Sequence, residues 1–152
     1  MTEAVLIRRI AARPAVVFEA LVTAEGIASW WGPDDLPAIF AVVDPCVNGS
    51  FSVRFRRFDG SEHECAGKFL EIIPPEHLVL SWRWADGGDP DEVNNVSRVE
   101  FKLRPIDGGT ELTLVHSALS TEASARAHEG GWAGALEKLV RRYPKIPPVP
   151  DR

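Results

Sequence analysis

Four histidines, two cysteines and a scatter of carboxylates are the groups in this 152-residue chain that could do acid–base, nucleophilic or metal chemistry near neutral pH. His116 closes the alternating run Leu112, Leu114, His116, and His128 stands one turn before Trp132 in a helical stripe. Meeting in one cavity, the two imidazoles would supply a general acid and a general base. Taken singly, each suits a structural histidine satisfied by hydrogen bonds. His63 and Glu64 are neighbours on a strand and point to opposite faces, while Cys65 shares a face with His63 and has no obvious cation to activate its thiol. There is no nucleophile elbow, HExxH helix or Gly-rich phosphate loop. His63, His77, His116 and His128 are dispersed without ligand spacing, so neither a metal nor a cofactor is expected. Arg54, Arg56 and Arg57 form a basic cluster, but alternation sends Arg54 and Arg56 to a solvated face beside acidic neighbours. The polar groups thus point to no catalytic residue, and the sequence leans away from an enzyme.

The aromatic residues carry the stronger signal. Trp30-Trp31 precedes Gly32-Pro33, and Trp82, Trp84 and Trp132 recur where the local pattern predicts an inward face. Adjacent indoles at the end of a short helix are a large apolar payload, and each buried indole needs a partner for its N–H. Five tryptophans in so small a chain can line a cavity, or one of the Trp30-Trp31 pair can anchor an interface. At 45% hydrophobic and 26% charged, the chain has enough apolar residues for one ordinary core. The net charge of −5, with no basic stripe, argues against nucleic acid. No apolar run is long enough for a membrane span and the first residues do not read as a signal peptide, which gives a cytoplasmic expectation. In that compartment Cys46 and Cys65, lacking CxxC spacing, read as free thiols.

Strands and helices alternate in a readable order. A strand over 5–10 is followed by a helix from Pro14 to about Ala24 and a second short helix ending at the Trp pair. Strands are expected over 38–43, 51–56 and 62–73, with Asp59-Gly60 as a hairpin turn and Pro74-Pro75 as a stop. Leu78, Leu80, Trp82 and Trp84 fall on one face of the next strand. Residues 85–95 read as an acidic mobile loop too polar to be buried. A second hairpin turns at Asp107-Gly108-Gly109, and from Thr121 the apolar spacing becomes helical through Ala125, His128, Trp132, Leu136, Leu139 and Tyr143. These elements describe an α+β fold over 1–143, a curved antiparallel sheet wrapped around a long C-terminal helix, with two short helices between the first two strands and a Pro-rich tail over 144–152.

Four motifs in this order resemble one family: Ile10-Ala-Ala-Arg-Pro14-Ala-Val-Val-Phe18-Glu-Ala-Leu21; Trp30-Trp31-Gly32-Pro33; Gly67-Lys-Phe-Leu-Glu-Ile72 with Pro74-Pro75 and Leu78-Val-Leu-Ser-Trp82; and His128-Glu-Gly-Gly-Trp132 with Leu136 and Leu139. Over residues 4–143 the chain looks like an activator of heat-shock-protein ATPase homologue-like protein, within the START-like (SRPBCC, helix-grip) superfamily. The resemblance implies the helix-grip fold and a cavity between sheet and C-terminal helix. Relatives bind lipids, hormones or polyketides there, some catalyse cyclisation or hydrolysis, and the eukaryotic namesake, a stress-response protein, stimulates a chaperone ATPase. The expectation is a binding module for a small hydrophobic or aromatic ligand. A cyclase- or hydrolase-type enzyme, and a chaperone-regulating or homodimeric interaction module, are the alternatives. The cavity lining expected from alternation and helical spacing is Trp30, Trp31, Phe51, Val53, Phe55, Phe69, Trp82, Trp84, Leu114, His116, His128, Trp132 and Leu136.

Overall fold

Period-two alternation of apolar and polar residues produces most of the sheet. The computed structural model describes residues 2–86, 92 and 94–144. The chain runs β1 (Thr2–Ile10), α1 (Pro14–Val22), α2 (Ala24–Trp30), β2 (Phe40–Val43), β3 (Ser50–Arg56), β4 (Glu62–Ile73), β5 (His77–Asp86), β6 (Ser97–Ile106), β7 (Gly109–Leu119) and α3 (Glu122–Arg142). All seven strands join one antiparallel sheet in the order β1-β7-β6-β5-β4-β3-β2. The sheet curves and α3 lies against it, which is the helix-grip architecture. The tail expected past Pro144 lies outside the described residues.

The boundaries move where backbone partners move them. β1 begins at Thr2 rather than at Val5 because Thr2 pairs with Leu119 across a register shift. β2 begins at Phe40 rather than Ala38, since the Ala38 N–H is taken by the Ala28 carbonyl of α2 at 2.9 Å. Pro14 occupies the first turn of α1, where its missing N–H costs nothing. Thr23 then serves both short helices: its hydroxyl donates to Glu19 O at 2.9 Å and accepts from Gly26 N at 3.1 Å. Thr121 caps α3 by accepting from Ser124 N at 3.0 Å.

The concave face of the sheet and the buried stripe of α3 enclose a continuous core. Trp30 is at its centre at 0% exposure, its indole N–H donating to Ala20 O at 2.8 Å and its ring edge-on to Phe101 at 6.2 Å. Trp31 is 4% exposed and gives its N–H to Cys65 Sγ at 3.2 Å. Neither indole of the pair is free to anchor an interface, which corrects that expectation: two N–H partners inside the fold outweigh a surface position. Cys46 and Cys65 are both free thiols.

Candidate functional site

One end of the sheet–helix space is not filled. A pocket of about 560 Å³ opens between β3, β4, β5, the segment after α2 and the first half of α3. Its aromatic wall is Trp31, Phe55, Trp82, Trp84 and Trp132, with His63, Glu92, Ser124 and His128 as polar lining and Asp34, Arg57 and Arg126 contributing charge. Strand register builds the wall. Phe55 pairs with His63 across β3 and β4, and Cys65 pairs with Trp84 across β4 and β5, so concave-facing residues of three strands meet side by side. The Phe55 and His63 rings stack at 5.6 Å, and Trp82 meets Trp84 edge-on at 4.6 Å.

The roof is the segment Trp31 to Leu36, held against α3 by two devices. Gly134 lies so close to this segment that a Cβ there would sit 1.9 Å from Pro33 O, so only glycine permits the approach. One turn further on, Lys138 donates to Trp31 O at 3.3 Å and Leu36 O at 2.9 Å. Burial pushes the Lys138 ammonium down to about 8, against the opposing pull of Asp35 and Asp34. Gly32 takes φ +108° and packs on Phe55, turning the chain from α2 over the pocket mouth.

Two histidines lie back to back, with ring centres 4.5 Å apart, and do different work. His116 is wholly buried behind the pocket. The Trp132 indole N–H donates to its Nδ1 at 2.9 Å, so its own proton is on Nε2, which lies 2.6 Å from Ser97 Oγ; Ser97 in turn donates to Trp82 O at 3.2 Å. Every donor in this chain is used once. A second proton on Nδ1 would meet the Trp132 N–H head-on, and burial together with the neighbouring His128 holds the His116 pKa well below the ordinary histidine value. His116 is therefore a neutral structural group. His128, one layer nearer the opening, presents Nε2 to both Glu92 oxygens, at 2.9 and 3.0 Å. Trp84 gives its indole N–H to the same carboxylate, and Glu92 is 3% exposed. Cys65, beneath Trp31, is inert: burial pushes its thiol up to about 12.

Of the thirteen residues expected to line the cavity, Trp31, Phe55, Trp82, Trp84, His128 and Trp132 border the pocket, while Trp30, Phe51, Val53, Phe69, Leu114, His116 and Leu136 are packed in the core. His116 packs behind His128 and Trp132, and the other six belong to the continuous hydrophobic core. Glu92 corrects the expectation that the whole segment 85–95 is too polar to be buried, because two N–H donors from Trp84 and His128 satisfy its carboxylate inside. No pattern in sequence marks that glutamate among its acidic neighbours. His63 is absent from the expected lining, since alternation gave only its shared face with Cys65, and its cross-strand partner Phe55 gives it a place at the pocket. Among the described residues no three His, Cys, Asp or Glu side chains converge on a metal position.

The family model for Activator of Hsp90 ATPase homolog 1-like protein (AHSA1) matches residues 11–143. The chain belongs to the AHSA1 family. Solved structures agree on the fold. The AHSA1 protein from Silicibacter pomeroyi is 25% identical with a TM-score of 0.79, over 92% of this chain and 96% of that one. A protein from Chromobacterium violaceum is 22% identical with a TM-score of 0.77, over 94% of this chain and 98% of that one. The Aha1 dimer from Colwellia psychrerythraea is 22% identical with a TM-score of 0.67, over 96% of this chain and 98% of that one. No curated protein matches the chain. No helix among the described residues is long and apolar enough to cross a membrane.

Proposed function

We propose that this AHSA1-family protein binds a small aromatic or other apolar molecule in the pocket between sheet and helix. The observation that carries this reading is the open space itself: about 560 Å³ walled by four indoles and a phenyl ring, within the size range of small-molecule sites. The helix α3 leaves part of that space unfilled. It places Gly131 in mid-helix beside the pocket, where a Cβ would meet only Pro33 at 3.8 Å. A mid-helix glycine gives up about 1 kcal/mol of helix stability relative to alanine. That cost is understandable where side chains would occupy ligand space.

Catalysis is not assigned, because His116 has no free lone pair and Cys65 no thiolate character. A chaperone-directed or homodimeric role loses the surface indole that would have anchored it. The test is Gly131→Phe, which fills the pocket without entering the core. Native mass spectrometry and indole fluorescence should reveal an apolar compound bound to the parent protein and none to the variant, with the fold intact by circular dichroism. Equal uptake by the two proteins would contradict a ligand seated in this pocket.

A further inference from the structure

The two edge strands of the sheet are built differently. β2 is four residues long, whereas β1 runs for nine residues without a proline. Shortness and proline are devices that keep an edge from pairing with another chain, and β1 has neither. Its outer face carries Glu3, Val5, Ile7 and Arg9, all exposed, with Val5 at 48% and Ile7 at 54%. Its backbone is open as well. Ile10 O turns towards β7, where a Cβ on Gly109 would lie 2.0 Å from it, so by alternation Val5, Ile7 and Arg9 turn their N–H and C=O groups to the free edge. There the Ile7 carbonyl accepts from the Arg8 guanidinium at 2.9 Å, an exposed contact that an incoming strand can displace. Along the same edge Val5, Leu6, Ile7 and Arg8 border a groove of about 590 Å³, whose other wall is Arg126, Glu129, Gly130 and Ala133 of α3.

We propose that the partner of this edge is a second copy of the chain, joined β1 to β1 antiparallel about a two-fold axis at Leu6, so that two seven-stranded sheets become one. Charge complementarity selects both the occupant and the register. With Leu6 opposite Leu6 of the second copy, Glu3 stands opposite Arg9 and Val5 opposite Ile7, each pair occurring twice by symmetry. Within one chain Glu3 and Arg9 are about 20 Å apart along the strand, and neither has an ion-pair partner among the described residues. Sliding the pairing by two residues destroys the match: Arg9 then meets Val5, or Glu3 meets Ile7. The Leu6-centred register also sets outward-facing amides against outward-facing amides, as an antiparallel ladder requires, and covers the exposed Val5 and Ile7 with one another. The dimer is independent of any ligand in the pocket and needs no indole at the surface.

Sedimentation equilibrium of the full chain tests the pairing. The parent protein should follow a reversible monomer–dimer equilibrium. Glu3→Arg and Arg9→Glu each turn two attractive pairs per dimer into repulsive ones, and each alone should weaken the dimer at least about tenfold. Both positions are exposed, so circular dichroism should show the fold unchanged. An equimolar mixture of the two variants should regain the dimer, because each then offers the charge that the other lacks. In the parent, hydrogen exchange at the Val5, Ile7 and Arg9 amides should slow as protein concentration rises. A parent that stays monomeric, a dimer indifferent to both charge reversals and so formed through another surface such as the β2 edge, or a mixture that stays monomeric would each overturn the assignment. Exchange at the three amides that ignores concentration overturns it too, whether or not the variants fold.

Discussion

His116 illustrates how one buried proton position decides a residue's role. Its pKa is held well below that of an unfolded histidine by burial and by His128, so the unfolded chain binds the extra proton first as pH falls. The stability that His116 contributes in its neutral form is fully present above about pH 6.5 and is lost as pH drops below it. Urea unfolding measured between pH 7 and 5 should show this as an added slope of up to about 1.4 kcal/mol per pH unit. In His116→Gln, which keeps amide donors and acceptors but cannot titrate, stability at pH 7 should fall by about 1–3 kcal/mol and that added slope should vanish. An unchanged slope would mean that His116 is protonated in the folded protein, against the hydrogen-bond chain through Trp132, Ser97 and Trp82.

At the scale of elements, α3 decides what is core and what is pocket. Its glycines act in opposite senses. Gly134 admits the Pro33 carbonyl, so Gly134→Ala should destabilise by about 1–3 kcal/mol through overpacking even though alanine favours helix. Gly130 faces open space, so Gly130→Ala should stabilise by up to about 1 kcal/mol. Thermal melts of the two variants should move in opposite directions; a shared direction would mean that helix propensity rather than the roof contact governs this face. The amphipathic stripe of α3 and the alternation of β3, β5, β6 and β7 were legible in sequence because period and burial are coupled, and so was the placing of Arg54 and Arg56 outside, where they pair with Glu62. Within the inward set, alternation could not separate Phe55, beside the pocket, from Phe51 four residues earlier in the core. That distinction depends on where Gly134 and Lys138 pull the roof down, a contact between segments about a hundred residues apart. Glu92 was illegible for the same reason: its value comes from Trp84 and His128, and an acidic loop residue ordinarily stays in water.

Across the whole molecule, the helix-grip fold supplies a seven-stranded sheet and one long helix, and the family match over residues 11–143 spans every element after β1. Within that frame this chain has an aromatic pocket with a glutamate–histidine pair inside it. The tryptophans themselves are the reporters. Trp31, Trp82, Trp84 and Trp132 border the pocket, whereas Trp30 is sealed in the core with its N–H on Ala20. The most direct measurement is a two-dimensional 1H–15N spectrum of the five indole N–H groups, recorded during titration with 2-naphthol and with related apolar aromatic compounds. The pocket indoles, Trp84 and Trp132 foremost, should shift progressively and saturably while the Trp30 signal stays in place. Indole signals that remain still with every compound, or shifts confined to backbone amides on the outer face of the sheet, would contradict a ligand site between sheet and helix.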